Sequence, residues 1–101
     1  MNLEKTDISF LIIDSFNSIS GLTFVFLKCP NGRINNDTFL LDEAGVEWRV
    51  IDNDVKVGGV SNKKLVEEKS KEYIFLYQLE SGHVAPRPKI GQELFMIRNT
   101  S

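Results

Sequence analysis

The most constraining feature of the sequence is the length of its apolar runs, which suits β-strands and falls short of a membrane helix. Residues 8–13 and 22–27 are rich in β-branched and aromatic side chains, and a more polar stretch, residues 15–21, separates them. Side chains of this kind favour the pleated, half-buried surface of a sheet. No run approaches the roughly 18 consecutive apolar residues that span a bilayer. The two runs therefore predict strands, and no membrane segment is expected.

Further runs of strand length follow, with turn residues between them. The predicted strands are residues 8–14, 22–29, 38–41, 46–52, 73–79 and 93–97, with a short additional strand at 55–57. In the fourth strand Val46, Trp48 and Val50 share one face, and the charged residues between them share the other. Six to seven short strands separated by turns are typical of an all-β domain. We expect a small closed or nearly closed antiparallel β-barrel.

The segments outside the strands are assigned by their composition. Residues 42–45 predict a hairpin connection, and the many charges of residues 61–72 predict a solvated loop or short helix. Residues 1–7 are polar and are expected to form a flexible N-terminus, whereas Ile19 is a candidate inward anchor. The aromatic residues expected in the core are Phe24, Phe26, Trp48, Phe75 and Phe95.

Composition and charge bound the class of protein. With 42% hydrophobic and 26% charged residues, residues 1–101 fit one globular domain. The formal net charge of −2 and the pI of about 5.3 disfavour broad binding to nucleic-acid phosphates, which needs clustered Lys and Arg side chains. The single cysteine, Cys29, excludes an internal disulfide, and residues 1–7 lack the apolar part of a secretory signal. A cytoplasmic location is expected.

Candidate catalytic and metal-binding groups are few. Cys29 and His83 are single residues of their types, whereas structural zinc takes about four ligands from Cys and His sets. Residues 52–54 are similar to part of a calcium loop but lack its glycine and terminal glutamate. We therefore predict no enzyme activity, no catalytic residue, no cofactor and no metal, and Cys29 is expected to be a small buried hydrophobe at a strand end.

The order of features over most of the chain resembles a known family. The features are residues 8–16, a loop closing on Gly21, residues 22–27, the turn before Arg33, residues 38–41 and residues 86–94. They follow one another as in the second domain of translational GTPases such as elongation factor Tu. The resemblance implies a small closed β-barrel and a tendency toward ribosome or RNA association. Gly21 stands alone where the family has two glycines around an arginine, and no phosphate-binding loop of a GTPase occurs, so GTP hydrolysis is not implied.

The lack of catalytic groups and the resemblance favour a non-enzymatic binding module that contacts a protein or ribonucleoprotein. The candidate contacts are Arg33, Arg49, Tyr73, Tyr77, His83, Arg87 and Lys89. The three arginines and Lys89 are expected either near one barrel rim or scattered over the surface. The two tyrosines share a predicted face that suits either a partner or the interior. Near-neutral charge favours a protein partner over ribosome or RNA. A monomer or a weak homodimer through an edge strand such as 55–57 is expected.

Alternatives from other classes remain open. One is a small inhibitor or immunity-type protein that blocks a toxin or enzyme through its acidic loops, residues 35–37 and 52–54. Another is a small-ligand barrel with a pocket between Phe24 and Trp48, although a barrel of this size is expected to be filled by its own side chains. The third alternative is a hydrolase that uses His83 as its catalytic residue.

Overall fold

Six antiparallel strands make up the fold over the part of the chain that the structure describes. The computed structural model describes residues 3–56, 64, 67–69, 71–82 and 84–99. The strands are β1 Leu3–Asn17, β2 Thr23–Lys28, β3 Phe39–Leu41, β4 Glu47–Asp52, β5 Ile74–Ser81 and β6 Glu93–Asn99. They close into a barrel in the order β1-β2-β5-β4-β3-β6. The predicted all-β class and the closed antiparallel barrel are confirmed.

The barrel interior is filled with apolar side chains. β2 and β5 pair without interruption, and this register sets Val25 opposite Tyr77 and Leu27 opposite Phe75. On β4, Trp48 and Val50 are buried whereas Glu47 and Arg49 are only partly so, which confirms the predicted alternation. The buried residues of this cluster are Ile12, Val25, Leu27, Cys29, Ile34, Leu40, Trp48, Val50, Tyr77, Leu79 and Leu94.

The first strand bends, and this bend lets it join two different neighbours. Its first part pairs with β6, from Leu3 opposite Asn99, and its last part pairs with β2, ending with Asn17 opposite Thr23. Register shifts between Lys5 and Ser9 and between Ile12 and Asp14 produce the bend. The strand starts at Leu3 rather than at residue 8, so residues 3–7 of the predicted flexible N-terminus belong to a strand, and Leu3, Glu4 and Lys5 pair with β6.

A second apolar cluster lies on the outer surface of the barrel. Phe26 and Leu76 are opposite each other, and they point away from the interior because their chain neighbours point into it. Phe24 belongs to the same outer cluster, and the Phe16 ring stacks on it at 5.3 Å. Phe26 is buried, as expected of a core residue, but it lies with the partly buried Phe24 in this outer cluster and not in the barrel interior. A run that is apolar at every position does not indicate its inner face.

The β3–β4 hairpin is held by a buried carboxylate, Asp42. Its Oδ1 accepts hydrogen bonds from the backbone N–H groups of Ala44 at 2.9 Å and Val46 at 2.8 Å, and its Oδ2 accepts one from Trp48 Nε1 at 3.0 Å. Gly45 completes the turn with φ of 88°, a conformation that glycine adopts without strain. The predicted hairpin is confirmed, and Asp42 fixes the orientation of the Trp48 indole.

The connection between β4 and β5 is described only in part. Val55 and Lys56 are not in a strand, so the predicted strand at 55–57 is not formed by these two residues, and Val57 lies outside the described residues. Residues 64 and 67–69 are helical, and residues 71–72 form a turn. The rest of the predicted loop or short helix at 61–72 also lies outside the described residues. No helix in the described part of the chain is both long and apolar enough to cross a membrane.

Candidate functional site

Two of the predicted basic contacts are engaged with carboxylates of the same chain. Arg33 Nη1 lies 2.6 Å from the carbonyl oxygen of Asn53 and 3.3 Å from Asp54 Oδ1. Arg49 lies 3.3 Å from Asp37 and 2.7 Å from Glu80. Each arginine therefore has its own acidic partners, which reduces the positive charge that either presents to a nucleic-acid phosphate.

The other predicted polar contacts are separate from these pairs. Arg87 and Lys89 are exposed on either side of the buried Pro88. Neither forms an ion pair with another described residue. His83 lies outside the described residues.

The two tyrosines predicted to share a face lie in different surroundings. Tyr77 is fully buried in the barrel, so it cannot contact a partner, and its assignment as a binding residue is wrong. Tyr73 precedes β5 in a left-handed conformation, with φ of 60°, and its side chain is exposed. The interior alternative, with a hydrogen-bonded hydroxyl, is the one realised at Tyr77. Tyr73 remains a candidate surface contact.

A small polar cluster surrounds the buried Tyr77 hydroxyl. The hydroxyl accepts a hydrogen bond from the Ile34 N–H at 3.0 Å and lies 3.2 Å from Cys29 Sγ. Burial raises the pKa of the Cys29 thiol above its usual value. Burial also raises the pKa of Tyr77, and the hydrogen bond with Cys29 raises it further. Both groups therefore stay protonated at neutral pH, and the expectation of a buried, small Cys29 is confirmed.

The two acidic loops considered as an inhibitory surface lie against each other. The Asn53 N–H donates to Asn36 Oδ1 at 2.8 Å, and Asn53 Nδ2 donates to the Ile34 carbonyl at 3.1 Å. Asp54 is paired with Arg33 and with Lys56, whose ammonium lies 2.7 Å away. The hydrogen bond from Lys56, helped by Arg33, lowers the pKa of Asp54. The loops form one surface, but much of its negative charge is compensated.

A groove opens at the end of the barrel where β1 ends and β2 begins. This end groove has a volume of about 510 Å³ and is lined by Asn17, Gly21, Leu22, Thr23, Trp48, Gln78, Leu79, Glu80, Ser81, Gly82, Val84 and Ala85. Strand pairing assembles it, because Thr23 is opposite both Asn17 on β1 and Leu79 on β5. Trp48 joins them through its pairing with Ser81.

Exposed apolar side chains stand around the end groove. Ile19 and Val84 have relative exposures of 110% and 102%, and Leu22 is also exposed. The loop that carries Ile19 is fixed by Ser18, whose N–H donates to the Leu22 carbonyl at 2.8 Å and whose Oγ accepts from the Leu22 N–H at 3.1 Å. Ile19 is therefore held outward, and its assignment as an inward anchor is wrong.

A smaller recess adjoins the end groove. This side recess of about 300 Å³ is lined by Phe39, Glu47, Arg49, Glu80, Ser81 and Gly82. It shares Glu80, Ser81 and Gly82 with the end groove. Within the described chain, Arg49 is paired with Glu80 and Asp37, whereas no cation lies within ion-pair distance of Glu47. Glu47 is thus an uncompensated, half-buried carboxylate at the side recess.

The groove residues were not singled out from the sequence as contacts. One local signal points to them, because Val84 precedes prolines that interrupt strand pairing. The barrel order brings the loop between β1 and β2 next to the segment after β5, and this order cannot be read from the sequence.

The proposed ligand pocket between Phe24 and Trp48 is wrong, since Trp48 faces the barrel interior and Phe24 belongs to the outer cluster.

No group of three or more His, Cys, Asp and Glu side chains among the described residues is arranged to hold a metal ion. Comparison of the chain with family models, with curated proteins and with solved structures found no significant match.

Proposed function

We propose that this chain is a non-enzymatic binding module that contacts a protein through its end groove. The observation that carries the proposal is the pair of exposed apolar side chains that line the groove, Leu22 and Val84. Isolated exposed apolar residues are common on any protein, but several around one concave surface mark an interaction site. The apolar rim also matches the composition of the centre of protein interfaces.

The charges of the surface favour a protein over a nucleic acid as the partner. Arg33 and Arg49 are compensated by carboxylates, and Glu47, which has no ion-pair partner among the described residues, adds negative charge next to the groove. A phosphate backbone would be repelled there. The resemblance to the second domain of translational GTPases supports a protein that belongs to a ribonucleoprotein. The proposal includes a cytoplasmic location and a monomer or weak homodimer.

The test compares a groove variant with a matched variant elsewhere. Leu22→Ser with Val84→Ser removes two exposed groove side chains, and Ile8→Ser with Ile90→Ser removes two exposed side chains that do not line the groove. Tagged forms of both and of the wild type are incubated with extract of the source cell, with and without ribonuclease, at low and moderate salt. Direct binding of each retained protein is then measured by calorimetry with the purified pair.

We expect one protein to bind the wild type and the Ile8/Ile90 variant regardless of nuclease, and to be lost with the Leu22/Val84 variant. Retention of ribosomal components that nuclease abolishes would show contact through RNA and would overturn the protein-docking proposal. Equal binding by both double variants would place the contact outside the groove. Failure to retain any protein at either salt concentration would also count against the proposal.

A second candidate is an inhibitor or immunity-type protein that uses the joined acidic loops. The observation in its favour is that residues 35–37 and 52–54 form one surface through the Asn36–Asn53 hydrogen bond. This candidate predicts a basic target that binds the Leu22/Val84 variant normally. It also predicts weaker binding when Asp37 and Asp54 are replaced by Asn, and calorimetry at two salt concentrations distinguishes it from groove binding.

A further inference from the structure

The end groove and the side recess differ in chemistry although they share a wall. The end groove has apolar sides, at Leu22, Val84 and Ala85, and the buried Trp48 and Leu79 also line it. The side recess carries the carboxylates Glu47 and Glu80 and one arginine. A single occupant that extends across the shared wall would therefore meet an apolar surface first and a negative one next.

The charge balance of the side recess indicates the sign of the charge that an occupant would carry there. Glu80 is compensated by Arg49, and Arg49 also contacts Asp37. Glu47 is half-buried and has no ion-pair partner within the described residues. A partly desolvated carboxylate is stabilised by a cation, and complementary charge across an interface supplies specificity more than affinity.

The lining of the end groove also suits an extended backbone. Besides its apolar side chains, it includes the polar residues Asn17, Thr23 and Gln78. Thr23 Oγ1 donates to Asn17 Oδ1 at 3.3 Å, and the amide of Asn17 keeps its donor while that of Gln78 can donate and accept. An extended peptide carries backbone donors and acceptors that need such groups, and its successive side chains point to opposite sides. The groove is partly open to solvent, which admits a continuing chain.

We propose that the occupant of the end groove is an extended peptide segment of the partner, with an apolar side chain between Leu22 and Val84 and a nearby Lys or Arg side chain against Glu47. This inference rests on the proposed function and names the chemistry that the same site recognises. The apolar contact supplies the affinity, and the cation supplies the selectivity between competing peptides.

A displayed library of random peptides tests the inference with the purified chain. The library is selected on the wild type, on Glu47→Gln and on Glu68→Gln. The last variant removes the same charge from an exposed position that does not line the groove. A fourth selection uses the Leu22→Ser/Val84→Ser variant. Enriched peptides are then synthesised, and their binding is measured through the fluorescence of Trp48, the single tryptophan of the chain.

We expect the wild type and Glu68→Gln to enrich peptides that carry Lys or Arg within a few residues of a large apolar side chain. Glu47→Gln is expected to keep the apolar preference and lose the basic one. Its affinity for a Lys-containing peptide should be about fivefold weaker, with no change for the matched peptide that has Met in place of Lys.

The outcomes separate the inference from the proposal on which it rests. The wild type could enrich apolar peptides that show no preference for Lys or Arg, while the Leu22/Val84 variant enriches none. This result would overturn the proposed contact between a basic side chain and Glu47 and leave groove binding intact. Enrichment of the same peptides by the Leu22/Val84 variant would place binding elsewhere and overturn both. Equal loss of the basic preference in Glu47→Gln and Glu68→Gln would overturn the assignment to Glu47.

Discussion

At the scale of single residues, Asp42 has the largest structural role of any carboxylate described. It is only 8% exposed, and its two oxygens accept three hydrogen bonds, one of them from the Trp48 indole. Hydrogen bonds to a charged acceptor are stronger than those between neutral groups. Asp42 thus connects the β3–β4 turn to the indole that lines the end groove.

Replacing Asp42 with Ala is expected to lower the free energy of unfolding by about 3 kcal/mol, because a buried indole N–H and two backbone N–H groups lose their acceptor. Urea unfolding followed by Trp48 fluorescence measures the change. Asp42→Asn keeps one carbonyl acceptor, so its loss should be about half as large. If Asp42→Ala cost no more than the exposed Glu43→Ala, the role assigned to the Asp42 hydrogen bonds would be refuted.

In contrast to Asp42, Ser15 has a buried hydroxyl with no hydrogen-bond partner among the described residues. Ser15→Ala removes this unsatisfied group without changing the shape of the interior. The free energy of unfolding is expected to rise by about 1 kcal/mol. Ser9→Ala, a less buried position on the same strand, serves as the control and should change stability by less than about 0.5 kcal/mol. A decrease for Ser15→Ala in urea unfolding would contradict the prediction.

Local sequence patterns at the residue scale identify some of these positions and not others. Val46, Trp48 and Val50 are correctly placed by alternation, because a strand with one buried face imposes a period of two. The hydrogen bond from Trp48 Nε1 to Asp42 cannot be predicted from the sequence, since it depends on the rotamers of two side chains across a turn. For Tyr77 the sequence leaves the surface and the interior both open for a related reason, because the hydrogen bond from the Ile34 N–H to its hydroxyl depends on closure of the barrel.

At the scale of elements, strand positions are largely predictable and strand neighbours are not. The predicted strands at 46–52 and 93–97 match β4 and β6 to within a few residues. The order β1-β2-β5-β4-β3-β6 and the bend of β1 depend on tertiary packing, for which the sequence offers no local signal. The outer cluster around Phe26 is likewise a product of packing.

The β3–β4 hairpin offers an element-scale prediction through Gly45. An added Cβ would meet no atom within 4 Å, so the cost of Gly45→Ala comes from its φ of 88° alone. The free energy of unfolding is expected to fall by about 1 kcal/mol. Gly82→Ala is the matched control, because its surroundings are equally open and its φ is not in the left-handed region. Equal effects in thermal unfolding would show that strain at Gly45 is not the cause.

At the scale of the whole molecule, the buried Cys29 and Tyr77 make stability depend on pH. Burial raises the pKa of each group in the folded state, so the unfolded chain releases these protons at lower pH than the folded chain. Stability from these groups is complete below about pH 8.5 and falls as the pH rises through about 8.5 to 10, where free thiols and phenols ionise.

Urea unfolding at a series of pH values tests this dependence. The wild type is expected to lose stability progressively above about pH 8.5, and a Cys29→Ala/Tyr77→Phe variant should show a smaller slope over the same interval. The difference in slope is the relevant quantity, because other groups titrate equally in both proteins. Parallel curves for the two proteins would refute the assignment to Cys29 and Tyr77.

The candidate site is also a whole-molecule property. The sequence draws attention to scattered cations, because charge is visible without a structure. It does not mark Leu22 or Val84 as contacts, because the exposure of an apolar side chain is known only from the structure. The end groove exists only because the barrel order brings the loop between β1 and β2 next to the segment that follows β5. Its candidacy therefore depends on geometry that no local pattern contains.

The pairing of β1 with β6 has a mechanical consequence. Leu3 lies opposite Asn99, so the outer ends of these antiparallel strands are adjacent, and their hydrogen bonds run across the direction of the strands. A force that pulls the two ends apart would load these bonds one after another rather than all together. The barrel is expected to unzip from this seam at low force, with β1 peeling from β6 before the β2–β5 pair is stretched.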